Sequence, residues 1–250
     1  QRKKLDHDIT EEAIRHINQS ELEPSKKTTV LFNANWHKGV IGIVASRLTE
    51  SFYRPTIILT ESNGLATGSA RSVEGFDLYY AISQCSEFLE NYGGHKYAAG
   101  LTLKIENIEP FKQKFERIVR ETIDDEMLTP QINIDAKIKL TDITPDLYHM
   151  LQKFAPFGPN NTIPVFMTEK VTNFIGTKRV GRNNEHLKLV IVDDTRACND
   201  RSGIGFGMGH LYDKVNSGGF FDICYTLQEN EFMGKNDIQM IVKDIRLREE

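Results

Sequence analysis

The chain has 250 residues, 39% hydrophobic and 26% charged. That is a globular composition with room for one large domain or two ordinary ones, and no stretch nears the roughly 20 apolar residues of a membrane helix. Its 31 basic and 35 acidic residues give a net charge of −4, and 16 of the basic and 19 of the acidic groups fall in residues 1–128, so neither half is basic and binding of nucleic acid by bulk charge is excluded.

Asp8 to Ile17 reads as a short helix, with Asp8 as its cap and Glu11 three residues on in a loose capping box. Glu21 to Lys27 is polar, carries a proline and reads as a linker. Val30 to Phe32 is a short buried strand, followed by a loop at Asn33–Lys38 and a helix from Gly39 to Glu50 with Val40, Val44 and Leu48 on one face. Pro55 to Thr60 and Ala66 to Arg71 are strands joined across the Asn63-Gly64 turn. Asp77 to Leu89 reads as a helix burying Leu78, Ala81, Ile82, Cys85 and Leu89. A glycine loop, Tyr92-Gly93-Gly94-His95, then leads to a strand at Ala98–Ile105 and an amphipathic helix from Glu109 to about Asp125. Strands alternating with helices make residues 28–127 an α/β domain behind a connector at 1–27.

The pattern changes after the acidic turn Asp124-Asp125-Glu126. Strands are expected at Ile132–Leu140, Val165–Phe174, His186–Val192, Gly203–Met208, Phe221–Gln228 and Gln239–Ile245, with one helix at Pro145–Phe154. Such a run predicts an all-β second domain over 128–250, a closed five-stranded barrel.

Three loops carry residue types suited to an anion. Asn35-Trp36-His37-Lys38-Gly39 precedes a helix start, where backbone N–H groups favour negative charge; it reads equally as a capped turn anchored by Trp36. Gly68-Ser69-Ala70-Arg71-Ser72 offers hydroxyls and a guanidinium fork matched to phosphate oxygens, the rival being an Arg71 pair with Glu74 or Asp77. Gly93-Gly94-His95 allows close backbone approach to a ligand beside a side chain that donates to phosphate, although a glycine pair also makes an ordinary turn.

Metal-dependent hydrolysis needs clustered Asp and His ligands, and the acidic pairs Asp124-Asp125 and Asp193-Asp194 read as solvated charges. No metal ligand or cofactor is assigned within the chain. Cys85, Cys198 and Cys224 lack metal-type spacing and predict a reducing, cytoplasmic setting. The opening Gln1-Arg2-Lys3-Lys4 has neither an initiator Met nor an apolar segment behind it, so the expectation is a piece of a longer protein without a secretory signal.

Taken together these loops resemble a known family. Trp36-His37-Lys38-Gly39-Val40-Ile41-Gly42-Ile43-Val44-Ala45-Ser46-Arg47-Leu48, Arg54-Pro55-Thr56, Gly68-Ser69-Ala70-Arg71-Ser72, Gly75-Phe76-Asp77-Leu78 and Tyr92-Gly93-Gly94-His95 with Ala98-Ala99-Gly100 resemble the DHH-associated domain of the RecJ single-strand-specific exonucleases. Pro156-Phe157-Gly158-Pro159-Asn160, Pro164-Val165-Phe166, His186-Leu187-Lys188 and Asn230-Glu231-Phe232 resemble that family's oligonucleotide-binding (OB) barrel. Asn160-Asn161-Thr162-Ile163-Pro164 departs from the family's Gly-Asn-Pro, which predicts a turn of different shape.

The resemblance implies an α/β domain followed by an OB-like barrel, the substrate-side portion of a 5′–3′ exonuclease of DNA repair and recombination. It implies that Mg²⁺ or Mn²⁺ sits in a DHH catalytic domain this chain lacks, so the chain alone cleaves nothing. Ser69, Arg71, Ser72, Gly93, Gly94, His95, Trp36, His37 and Lys38 are then expected to hold DNA phosphates, with His95 assisting at the phosphoryl group. In the barrel, exposed aromatics such as Phe174 or Phe232 are candidates to stack bases, with the core as their rival place, and the cluster Lys178-Arg179-Arg182 reads as a backbone track or equally as a solvated hairpin tip. The expected partner is single-stranded DNA, and the expected state a monomer. Two rivals stand beside this reading: a DHH-type phosphoesterase acting on short oligonucleotides or small nucleotides, and a docking module for single-strand-binding protein.

Overall fold

A computed structural model of the chain describes residues 2–19, 25–158, 160–193, 200–232 and 235–248, with the side chains of residues 2–4, 231, 232, 235 and 236 left out. Cys198 and Pro159 lie outside the described residues, as does most of the expected linker at 21–27. The chain divides into two compact units, Gln1–Gln131 and Ile132–Glu250. Among the described residues no helix is long and apolar enough to cross a membrane.

The first unit runs α1 (Arg2–Gln19), β1 (Thr29–Phe32), α2 (Ile41–Phe52), β2 (Thr56–Ser62), β3 (Leu65–Arg71), α3 (Leu78–Ser83), β4 (Leu89–His95), β5 (Ala98–Lys104) and α4 (Ile108–Thr122). Its five-stranded sheet has the order β1-β2-β3-β5-β4, with β1 parallel to β2 and the other pairs antiparallel. Asn63 and Gly64 both adopt positive φ, the twist a two-residue hairpin requires. Alternation along the strands sorts the two faces. Ile57, Leu59, Ala66, Ala70, Ala99, Leu101 and Leu103 point to one face, where α3 and α4 cover them with Ala81, Ile82, Phe111, Phe115 and Val119. On the opposite face α2 lies over Ile58, and α1 packs Ile9, Ala13 and Ile17 against Trp36, Val40, Ile41 and Val44. The remainder of that face, over β5 and β4, is open: Asn91, Gly93, His95 and Gly100 are all exposed.

Three elements of this unit differ from the sequence reading. Helix α1 starts well before Asp8, which is therefore an interior residue and not a cap. Helix α3 ends at Ser83; Asp77 does cap it, accepting from Tyr80 N, but Leu89 belongs to a strand. The glycine loop Tyr92–His95 is itself the edge strand β4, paired with β5 from Leu89↔Leu103 to His95↔Ala98.

The second unit contains β6 (Ala136–Lys137), α5 (Pro145–Gln152), β7 (Phe166–Asn173), β8 (Lys178–Val180), β9 (His186–Asp193), β10 (Arg201–Gly205), α6 (Tyr212–Val215), β11 (Phe221–Phe232) and β12 (Lys235–Leu247). The sheet order is β6-β7-β11-β12-β10-β9-β8, and an additional β7–β9 pairing closes β7, β11, β12, β10 and β9 into a five-stranded ring. Leu140, Val171, Leu189, Ile191, Val215, Phe221, Tyr225 and Met240 fill it. Buried Asp222 ties three strands together, accepting from Arg246 Nη2 at 2.7 Å, Arg248 Nε at 2.6 Å and Lys170 N at 3.1 Å. The expected strand at Ile132–Leu140 shrinks to the two residues of β6, and the short β8 adds a strand that the sequence pattern does not announce. At the departure from the family pattern, Gly158 and Asn161 form an isolated bridge, and Asn161 Nδ2 donates to Phe154 O and Pro156 O.

Candidate functional site

Register places the polar residues of β3 in line with the open half of the sheet. Ser69 lies opposite Gly100, and Gly100 opposite Gly93. One row on, Arg71 lies opposite Ala98, and Ala98 opposite His95. Directly opposed residues share a face, so Arg71 and His95 bound a floor about 10 Å wide, two strand spacings, made of residues with little or no side chain.

At the β3 side of that floor lies a pocket of about 360 Å³ lined by Lys38, Gly39, Ile41, Gly42, Ile43, Thr67, Gly68, Ser69 and Arg71. Val40 gives α2 no side-chain cap. The N–H groups of Ile41 and Gly42 therefore stand at the pocket without an intrahelical partner, where the helix dipole adds positive potential. Arg71 Nη1 donates to Ala70 O, and among the described residues no carboxylate pairs with the guanidinium. Asp77, its expected rival partner, is occupied in capping α3. Two cationic side chains, a hydroxyl and a helix start thus converge, which is the donor set a phosphate needs.

Both histidines are turned by their own turns. His37 Nδ1 accepts from Gly39 N at 3.0 Å, and His95 Nδ1 accepts from Tyr97 N at 3.4 Å. With Nδ1 accepting in each ring, Nε2 is the nitrogen that carries a donor hydrogen.

Three residues expected at the cleft are placed elsewhere. Trp36 is only 5% exposed, packed under α1 with its indole Nε1 donating to Glu12 Oε2. Ser72 spends its hydroxyl on Phe76 O and its N–H on Tyr97 O. Gly94, with φ 149°, lies opposite Ala99 on the side away from the floor, and a Cβ there would stand 2.3 Å from Ala98 O. Its glycine is needed for strand packing. The sequence reading gives no site role to Gly42, Ile43 or Thr67; a glycine inside the helical pattern is the available signal for the first.

In the barrel Arg179, read as part of a backbone track or of a solvated hairpin tip, is engaged in contacts within the second unit. Its Nη2 pairs with Asp213 at 2.6 Å, its Nε donates to Gly209 O, and the guanidinium lies 4.8 Å over the Tyr212 ring. Phe174 is 44% exposed, and the Phe232 side chain lies outside the described residues. Phe206, not singled out from the sequence, is more exposed at 61% and meets His186 edge-on at 5.2 Å. Lys178, Lys188 and Ile204 lie in register beside that pair. Among the described residues no group of three or more His, Cys, Asp or Glu side chains is arranged to hold a metal ion; Asp125 pairs with Lys27 at 2.6 Å.

Comparison with known proteins matches residues 25–121 to the DHHA1 domain family and residues 134–244 to the RecJ OB domain family. The single-stranded-DNA-specific exonuclease RecJ of Bacillus subtilis is 32% identical over 251 residues, covering 100% of this chain and 31% of the relative. The Escherichia coli protein of the same name is 29% identical, covering 90% of this chain and 40% of its own length. Among solved structures, RecJ from Thermus thermophilus in complex with Mn²⁺ superposes with a TM-score of 0.77 at 23% identity, over 100% of this chain and 34% of that one. The chain therefore spans roughly a third to two fifths of the length of these relatives, and the fold it shares with the solved structure extends from end to end.

Proposed function

This chain belongs to the RecJ family, as the C-terminal part that carries its DHHA1 and OB domains, and we propose that it grips single-stranded DNA for a 5′–3′ exonuclease of DNA repair and recombination. The observation that carries the reading is the convergence of Lys38, Ser69, Arg71 and the α2 start on one pocket beside the bare Gly93–Gly100 floor. Arg71 and Lys38 neutralise a phosphate, Ser69 and the free N–H groups orient it, and the floor admits the sugar–phosphate chain close to backbone. His95, at the far side of the floor, offers its Nε2 proton to charge developing on a phosphoryl oxygen.

The ligands for Mg²⁺ or Mn²⁺ belong to a DHH domain outside this chain, so the chain binds without cleaving. In the barrel, Phe206 and Phe174 stack bases while Lys178 and Lys188 follow the backbone. We place the protein in the cytoplasm as a monomer.

Fluorescence anisotropy of labelled single-stranded and duplex DNA across salt tests the reading. Single strands should bind preferentially, and Arg71→Ala should weaken binding about tenfold and reduce the salt slope by about 1. Equal binding by Arg71→Ala, His95→Ala and the parent chain would remove the cleft from recognition. A second reading, docking of single-strand-binding protein, draws on the exposed Met150 and Phe154, one turn apart on and just beyond α5. Titration with that protein, against a Phe154→Ser variant, tests it separately.

A further inference from the structure

The loop that carries Lys38 is held from outside the sheet by one carboxylate. Glu12 of α1 accepts from Asn33 Nδ2 through Oε1 at 2.9 Å and from Trp36 Nε1 through Oε2 at 3.1 Å. The same loop is fastened on its inner side: Asn33 Oδ1 accepts from Asn35 N at 2.9 Å, and Trp36 O accepts from Thr60 Oγ1 at 2.6 Å. Val40 N then donates to His37 O, and α2 begins at Ile41. Between the fastened Trp36 and the helix stand His37, Lys38, Gly39 and Val40, of which Lys38 and Gly39 line the pocket.

The chemistry of the clamp is specific. Two N–H donors converge on one side chain that has two acceptor oxygens and no donor, which an ionised carboxylate alone among side chains of this length supplies. A glutamine in its place has one acceptor, so its amide NH₂ would face either the indole or the Asn33 amide. Packing of α1 does not need this group, because Ile9, Ala13 and Ile17 already form its buried stripe.

We propose that Glu12 is a positioning residue of the phosphate site, setting Lys38 and the α2 start against Ser69 and Arg71 through Asn33 and Trp36. The role rests on the phosphate-gripping reading above. It makes the site dependent on the seating of α1, an element that contributes no residue to the pocket.

Trp36 is the chain's sole tryptophan, so its emission reports directly on the clamp. The experiment compares the parent chain with Glu12→Gln, Arg71→Ala, their combination, and Glu11→Gln as a control on the exposed side of α1. Each is measured by tryptophan emission, thermal melting and anisotropy with labelled oligothymidylate across salt. Glu12→Gln is expected to shift Trp36 emission, to keep a cooperative melt, and to weaken binding about five- to tenfold with a shallower salt slope. In the Arg71→Ala background its effect should shrink to roughly twofold or less, because both changes act on the same bound phosphate. Glu11→Gln should change none of these.

Unaltered affinity in Glu12→Gln, alongside weakened binding by Arg71→Ala, overturns the positioning role and leaves the phosphate site standing. Unshifted Trp36 emission in Glu12→Gln overturns the clamp itself. If the parent chain fails to bind, or binds no better than Arg71→Ala, the phosphate reading falls and this role with it. Should Glu12→Gln not fold, Trp36→Phe removes the indole donor while keeping an aromatic ring in the core; full parental affinity in that variant counts against the proposal.

Discussion

The Arg71 guanidinium passes directly beneath Gly42: a Cβ on Gly42 would stand 3.3 Å from Arg71 Nη2 and 3.2 Å from Ser69 Oγ. The first turn of α2 and the end of β3 therefore touch through the two side chains that face the pocket. Gly42→Ala should leave the melting temperature within a few degrees, because alanine favours the helix by up to ~1 kcal/mol while the flexible guanidinium gives way. Its displacement should weaken binding of single-stranded DNA about five- to tenfold, an outcome checked by anisotropy beside a melt.

The adjacent glycines Gly93 and Gly94 should behave oppositely. A Cβ on Gly94 would meet Ala98 O at 2.3 Å and Ala99 Cα at 2.5 Å, both backbone, at a φ that L side chains rarely adopt. Gly94→Ala should destabilise the first unit by ~3 kcal/mol or more in urea titrations. Nothing lies within 4 Å of a Cβ on Gly93, so Gly93→Ala should change stability by no more than ~0.5 kcal/mol. Its methyl group would project over the floor opposite Gly100 and should weaken DNA binding alone.

These two positions also mark where sequence and structure part. The run Tyr92–His95 reads as a loop because glycine and histidine are turn residues and two glycines erase the period-two pattern by which strands are recognised. Tertiary pairing with β5 makes it an edge strand all the same. The stripe Leu78, Ala81, Ile82 and Cys85 is buried as its spacing predicts, but α3 stops at Ser83, and the remaining turn is 3₁₀. Lys38, Ser69 and Arg71 can be picked from the sequence as phosphate-type donors since their chemistry is local, and the fold brings them to one pocket. The bonding of Trp36, Ser72 and Arg179 is not legible in this way, because Glu12, Phe76 and Asp213 are brought to them only by the fold.

Asp222 should govern the acid limb of barrel stability. Burial pushes its carboxyl up, but hydrogen bonds from Arg248, Arg246 and Lys170 N outweigh that and hold it below the ordinary carboxylate range. The unfolded chain takes up the proton first as pH falls. The contribution of Asp222 is thus complete above about pH 4 and is lost as pH drops through the folded value. Asp222→Asn should cost about 2–4 kcal/mol at pH 7 and less at pH 3, read from urea titrations at both.

Cys85 should be chemically silent. Burial pushes its thiol up to about 12, and the side chain is fully enclosed beside Ala81. Iodoacetamide at pH 8 should leave it unmodified in the folded chain and alkylate it in urea, as peptide mass mapping would record.

The ring of the barrel is fastened unevenly. Among the described residues twelve pairs join β11 to β12, whereas β7 meets β9 through Val171–Asp193, Thr172–Val192, Asn173–Ile191 and the Phe174 N–H to Val190 O bond, and β10 meets β12 through Gly203–Met240 and Ile204–Ile241. These two short seams are where the ring is expected to open first: parting either leaves an open sheet with the β11–β12 pairing intact, at a free energy below global unfolding. Hydrogen exchange should therefore show the amides of both seams exchanging before those in the middle of the β11–β12 pairing.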